Sequence, residues 1–234
     1  ASGTVGESSS LSVSISNKTD VTCYLGADGT ATASSTGGTL PHSYVWSDAT
    51  GQTTQTAIGL MAGTYTVQVV DFNKCTATTT VTLSEGDPIE LEATIRDASC
   101  YGDANGQINI TGSNATITTY EWDNGAVNLN PLTGLTAGTY TVTVTTNQGC
   151  TTTESYTIEE PDSLTAEIQL LTPVQCNGGR NAILKVNTTG GKPNFSYSWN
   201  GAAPTNKRVL NQAAAGAYTV VVTDKNGCTA TANY

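Results

Sequence analysis

The sequence predicts an all-β protein built as three tandem β-sandwiches. Three observations predict it. A unit of roughly 76 residues recurs three times along the 234-residue chain. Each copy carries runs that alternate apolar and polar residues with period two and are rich in β-branched side chains. No stretch sustains a helical stripe. The period exceeds the ~20–50 residues of solenoid units, which cannot fold alone, and suits a small independent domain.

The copies align on four residues. The first has Cys23, Trp46, Tyr65 and Cys75, the second Cys100, Trp122, Tyr140 and Cys150, the third Cys176, Trp199, Tyr218 and Cys228. The Cys-to-Cys offsets are 52, 50 and 52, and the Tyr precedes the second Cys by 10 in every copy. Pro88 and Pro161 each follow acidic residues and precede a new apolar alternation. They set three domains, 1–86, 87–160 and 161–234. Only TATANY follows Cys228, where TATTTVTL follows Cys75, so the last strand of the third domain reads either as cut short or as completed by a neighbouring chain through strand addition.

Early strands are LEATI (91–95), QINIT (107–111) and ILKVN (183–187). SYVW, YEW and SYSW supply a strand around each Trp, which places Trp46, Trp122 and Trp199 as plugs between two sheets. IGLMAGTY, TGLTAGTY and NQAAAGAY bridge two strands. Gly63, Gly138 and Gly216 let the chain turn there, and Tyr65, Tyr140 and Tyr218 read as tyrosine corners, whose phenol bonds the backbone just upstream. TYTVQVV, TYTVTVT and AYTVVVT open a final hairpin through the turns DFNKC, TNQGC and DKNGC. Thr fills 43 positions, because its β-branch suits the pleat and its hydroxyl meets water. Six or seven strands per domain are expected.

Charged residues are 12%, about half the ~25% usual for soluble proteins. The net charge of −10 disfavours phosphate backbones, so no nucleic-acid partner is expected. No run of ~18 apolar residues exists, so no membrane insertion is expected. The opening ASGTVGESSS lacks the basic and apolar regions of a signal peptide. One His (His42) and one Met (Met61) exclude a recurring His triad, a multi-His metal site and a Met-rich groove. The copies share no polar constellation beyond structural residues, so the chain does not read as an enzyme.

The chain resembles a known family at C-x-G-x-x-x-G near the start of each unit, Y-x-W in the middle, G-L-x-A-G-T-Y-T-V-x-V and D-x-N-G-C. This is the SprB repeat, an Ig-like or PKD-like module of surface proteins from gliding Bacteroidetes. Departures are the shortened turn at Asp28 to Gly29, Thr145 in place of the Asp in the second copy, and the missing G-L of the third. The resemblance implies three tandem Ig-like β-sandwiches at a cell surface, exported by type IX secretion. It also suggests the O-glycosylation signal D-[ST]-hydrophobic at Asp162, Ser163 and Leu164, with Ser163 as acceptor.

Six evenly spaced cysteines without a C-x2-C pair read as disulfides in an oxidising compartment. Repeat symmetry favours Cys23–Cys75, Cys100–Cys150 and Cys176–Cys228, each closing a loop worth roughly 4 kcal/mol in the entropy model. Under simple up-and-down alternation, six strands put both cysteines of a unit at one end, and seven put them at opposite ends. In the seven-strand case bridges between units, such as Cys100–Cys228, compete.

Asp71, Asp103, Asn105 and Asp224 lie in recurring Asp/Asn-Gly turns. These offer Ca2+ oxygen ligands, and they equally suit turn chemistry alone. Glu85, Asp87, Glu159, Glu160 and Asp162 do the same in the linkers. No cofactor is required. Tyr24 and Tyr101 are loop aromatics that could hold carbohydrate. The functional expectation is an extracellular adhesin stalk for surface attachment or gliding, reaching polysaccharide or a solid substratum through a parent protein. A self-assembling surface filament, through homotypic assembly, and an accessory array of a secreted enzyme stay open.

Overall fold

The computed structural model describes residues 9–234, and these contain strands and turns but no helix. The strands recur in three sets of six. The first set is β1 Ser12–Thr19, β2 Gly29–Thr36, β3 Ser43–Trp46, β4 Thr56–Leu60, β5 Gly63–Val70 and β6 Thr76–Leu83. The second is β7 Leu91–Arg96, β8 Gly106–Ser113, β9 Ile117–Trp122, β10 Leu132–Leu135, β11 Gly138–Thr146 and β12 Thr151–Ile158. The third is β13 Thr165–Thr172, β14 Ala182–Thr189, β15 Ser196–Trp199, β16 Val209–Ala213, β17 Thr219–Thr223 and β18 Thr229–Asn233. Each set forms two three-stranded sheets, in the first set β1-β2-β4 and β3-β5-β6, and likewise in the other two. Each repeat is thus a six-stranded Ig-like sandwich. The alternation seen in sequence is the burial pattern of the strands: β2, β8 and β14 bury alternate residues.

By compactness the chain divides into two units. One runs through Glu90 and adds Asn114–Thr118 and Thr145–Thr152; the other holds Leu91–Ser113, Thr119–Val144 and Thr153–Tyr234. The division cuts through the second repeat and follows the disulfides, since Cys23 and Cys150 share one unit and Cys100 and Cys228 the other.

In the first repeat the core is Ala31, Ala33, Trp46, Ala57, Leu60, Val67, Val69, Val81 and Leu83. Burying each Val or Leu contributes roughly 1.5–3 kcal/mol. The third repeat packs Leu184, Val186, Trp199, Val220 and Val222 in the same way. The indole N–H of Trp46 donates to the Thr54 carbonyl at 2.9 Å and that of Trp122 to Leu129 at 2.9 Å, so neither buried ring leaves its donor unpaired. On the outer faces hydroxyls pair across strands, Ser12 with Thr36 at 2.8 Å, Thr64 with Thr82 at 2.9 Å and Thr165 with Thr189 at 2.6 Å. Such pairs add a few tenths of a kcal/mol each and account for the Thr content.

The strand direction does not simply alternate. β2 is antiparallel to both β1 and β4, and β5 is antiparallel to both β3 and β6. The chain enters beside the hairpin turn that follows β5: Gly38 N–H donates to the Ser9 carbonyl, and Phe72 N–H to Thr39. It leaves beside the loop that follows β1: Val21 N–H donates to Ser84, and Leu25 N–H to the Glu85 carboxylate at 2.6 Å. So β1 runs from the leading to the trailing end and β5 runs back. It follows that β3 and β4 both run toward the trailing end, and the crossing segment 47–55 joins them without reversing. Six strands therefore place the two cysteines of a repeat at opposite ends, against the expectation from simple alternation.

Candidate functional site

The two ends of each repeat carry all of its cysteines. At the trailing end the first Cys sits in a tight loop. Gly26 N–H donates to the Cys23 carbonyl at 2.9 Å, Asp103 N–H to Cys100 at 3.1 Å and Gly179 N–H to Cys176 at 2.9 Å. A side chain six residues on ties down the residue before each Cys: Asp28 accepts from Thr22 N–H at 3.0 Å, Asn105 from Ser99 at 2.9 Å and Asn181 from Gln175 at 3.2 Å. The linker acids complete this end, since Glu160 accepts from Gly102 N–H at 2.6 Å just as Glu85 accepts from Leu25.

At the leading end the second Cys closes the β5–β6 type of hairpin. The buried Asp71 carboxylate accepts from Cys75 N–H at 2.8 Å and Thr39 N–H at 2.9 Å. Asp224 accepts from Cys228 at 2.9 Å, Asn226 at 2.8 Å and Lys192 at 2.8 Å. In the second repeat a Thr hydroxyl replaces the carboxylate. It is Thr146, not the Thr145 read from sequence, that accepts from Cys150 N–H at 3.1 Å. Hydrogen bonds from the Thr39 and Cys75 amides hold the Asp71 carboxyl below the usual range against its burial.

The disulfides join the trailing end of one repeat to the leading end of the next. Cys23 bonds Cys150 and Cys100 bonds Cys228, across 127 and 128 residues of chain. This corrects the pairings Cys23–Cys75, Cys100–Cys150 and Cys176–Cys228, because the non-reversing β3-to-β4 crossing separates the two cysteines of one repeat. Cys75 and Cys176 are free and exposed. Beside the second bridge Asn226 Nδ2 donates to the Ser99 carbonyl at 2.8 Å, and Cys228 Sγ touches the same oxygen at 3.4 Å. Closing loops of this length restricts the unfolded chain by on the order of 5 kcal/mol per bridge in the entropy model.

The other sequence-marked residues fall as follows. Trp46, Trp122 and Trp199 are buried. Tyr65 donates its phenol to the Met61 carbonyl at 3.0 Å, Tyr140 to Thr136 at 3.0 Å and Tyr218 to Ala214 at 2.9 Å. Gly63, Gly138 and Gly216 each sit at φ +154°, which suits glycine. Asp103 and Asn105 touch through Asn105 Nδ2 at 3.2 Å, while Asp71 and Asp224 serve the hairpins. Among the described residues no group of three or more His, Cys, Asp or Glu converges. Ser163 is exposed. Tyr24 and Tyr101 are exposed beside the bridged cysteines. The roles of Asp28, Asn105 and Asn181 were missed in sequence, although their constant distance from the first Cys carries the signal.

Residues 15–51 and 171–204 match the SprB repeat family. These two segments are similar to SprB repeats. They fall on the first and third structural repeats. Among curated proteins, no sequence matches. Solved structures with a similar course include the N-terminal eight Ig domains of DSCAM isoform 1.30.30, at 16% identity and TM-score 0.38 over 97% of this chain. The chain spans 35% of that DSCAM chain. A tetra-tandem repeat from the extending region of a large adhesion protein aligns at 13% identity and TM-score 0.31, covering 96% of this chain and 73% of the other. The ectodomain of mouse nectin-like molecule 4 aligns at 14% and 0.31, covering 92% and 95%.

Proposed function

We propose that these SprB-like repeats form a segment of an extracellular surface adhesin and act as a spacer between the cell and an adhesive end, in attachment or gliding motility. The observation that carries this is the bridge from each repeat to the next. A covalent tie between successive sandwiches has no use in catalysis, but it limits how far the chain extends when one of them opens under load. Disulfides of this kind persist in oxidising compartments, which agrees with export to the cell surface, by type IX secretion in this reading. The acidic, Thr-rich surface suits a spacer exposed to water and disfavours self-association. Contact with polysaccharide or a solid substratum is assigned to the parent protein.

Antibodies raised against the 234-residue chain test this reading on intact cells of the organism that encodes it. Surface labelling without permeabilisation is expected, with attachment or movement reduced when the antibody is bound. Labelling only after permeabilisation would reject the proposal.

A further inference from the structure

We propose that Cys75 and Cys176 are open halves of the same inter-repeat bridge, each closing on the complementary cysteine of a further repeat of this kind. The bridge follows one rule twice: the first cysteine of a repeat bonds the second cysteine of the next. Under that rule the second cysteine of the first repeat and the first cysteine of the third have no counterpart within these three repeats. Those two are the free thiols.

Each thiol sits in a half-site already built as its bonded siblings are. Cys75 N–H donates to Asp71 at 2.8 Å as Cys228 N–H donates to Asp224 at 2.9 Å. The hairpin closes the same way too, with Asp71 N–H on the Cys75 carbonyl and Asp224 N–H on Cys228, both at 3.0 Å. Cys176 sits in the loop of Cys23 and Cys100, with Gly179 N–H on its carbonyl and Asn181 fixing Gln175. The siblings at these positions are bonded, so the geometry is that of a working bridge. Exposure agrees. Bonded Cys150 is 8% exposed, while Cys75 is open, as are Phe72 at 65% in the same hairpin turn and Leu40 at 76%, next to the Thr39 that this turn bonds.

Closure needs an oxidant, and a low-molecular-weight disulfide such as oxidised glutathione supplies it. One glutathione half first caps Cys75. The Cys176 thiolate then attacks the Cys75 sulfur, and the departing glutathione thiolate takes a proton. Two protein thiols and one oxidised glutathione become one protein disulfide and two reduced glutathiones.

The inference stands on the bridge geometry, so it outlives a failure of the adhesin reading. It is tested on the whole chain by mixing Cys75→Ser and Cys176→Ser variants in equal amounts in a glutathione redox buffer, each keeping one free thiol. Cys75–Cys176 links are expected to exceed like-with-like links by roughly tenfold in peptide maps, about 30 mV of preference. The unmutated chain is expected to give a non-reducing ladder in steps of 24.1 kDa. A statistical mixture of links, or chains that keep both thiols free while Cys23–Cys150 forms, would overturn it. In protein taken from cell surfaces, Cys75 mapped to a sequence outside these residues assigns the partner to an adjoining repeat. Cys75 mapped to Cys176 assigns it to a second copy, and alkylatable thiols at both sites overturn the proposal there as well.

Discussion

At the residue scale, Asp and Asn side chains are spent on backbone amides. Both oxygens of Asp71 and of Asp224 accept N–H groups of the hairpin and of the loop beside it. Asn105 holds Ser99. Added Ca2+ is therefore expected to leave the melting temperature unmoved, and a rise of several degrees at millimolar Ca2+ would show that these turns bind the ion. Asp48, in the crossing segment, accepts from the Thr50 hydroxyl, from Gln52 N–H at 2.9 Å and from Gln52 Nε2 at 3.3 Å. The Thr50 bond chiefly, with the Gln52 bonds, lowers its pKa to about 2 from 3.8. A carboxylate depressed by folding stabilises the fold above its unfolded pKa. That contribution fades as the pH falls from about 4 to about 2. Asp48→Asn should flatten this part of an acid-unfolding titration, and an unchanged profile would remove Asp48 from the account. Tyr65→Phe, Tyr140→Phe and Tyr218→Phe should each cost about 1 kcal/mol in denaturant unfolding, the worth of one corner hydrogen bond.

At the element scale, the last strand of each repeat closes one end of the core. Leu83 and Ile158 lie eight residues after Cys75 and Cys150 and are almost fully buried. They press on Gly29 and Gly106, where an added Cβ would come within 2.9 Å of Leu83 Cδ1 and 2.7 Å of Ile158 Cγ2. Leu83→Ala should therefore cost roughly 2–5 kcal/mol. In the third repeat β18 spans five residues instead of eight, and Ala182 stands where the others have Gly. Leu184, Ala213, Tyr218 and Tyr234 line an apolar cleft of about 250 Å³ there, beside Ala182. Extending the chain past Tyr234 with an apolar residue at the Leu83 position, together with Ala182→Gly, should raise the melting temperature of this repeat by several degrees. No shift would mean that the cleft is not the counterpart of the Leu83 site. Strands, Trp plugs and Tyr corners were legible because each rests on local periodicity or on a fixed spacing. The pairing of cysteines was not. Repeat symmetry is satisfied equally by bridges within and between repeats, and the choice depends on whether segment 47–55 reverses the chain. Nothing in SDATGQTTQ announces a crossing that does not turn back.

At the scale of the whole molecule, the two bridges interleave, since Cys100 lies inside the Cys23–Cys150 loop and Cys228 outside it. A chain pulled from its ends then has a short covalent path: Cys23 to Cys150, back along the chain to Cys100, and across to Cys228. Only 50 residues separate Cys100 from Cys150, against 205 between Cys23 and Cys228. At about 3.5 Å per extended residue, the stretch between Cys23 and Cys228 is limited to roughly 180 Å when oxidised and roughly 700 Å when reduced. Single-molecule pulling from the two termini should show roughly 540 Å of added contour length on adding a reductant, the 155 residues that the bridges hold slack. Bridges confined to single repeats would leave only the linkers to extend, 25 residues from Cys75 to Cys100 and 26 from Cys150 to Cys176, and so give nearly the same limit; peptide maps tell the two pairings apart. The pulling experiment separates a spacer that limits its own extension from a plain string of domains. In the first, unfolding all three sandwiches lengthens the oxidised chain far less than the reduced one, so whatever these repeats carry stays nearer the other end of the chain after the sandwiches give way.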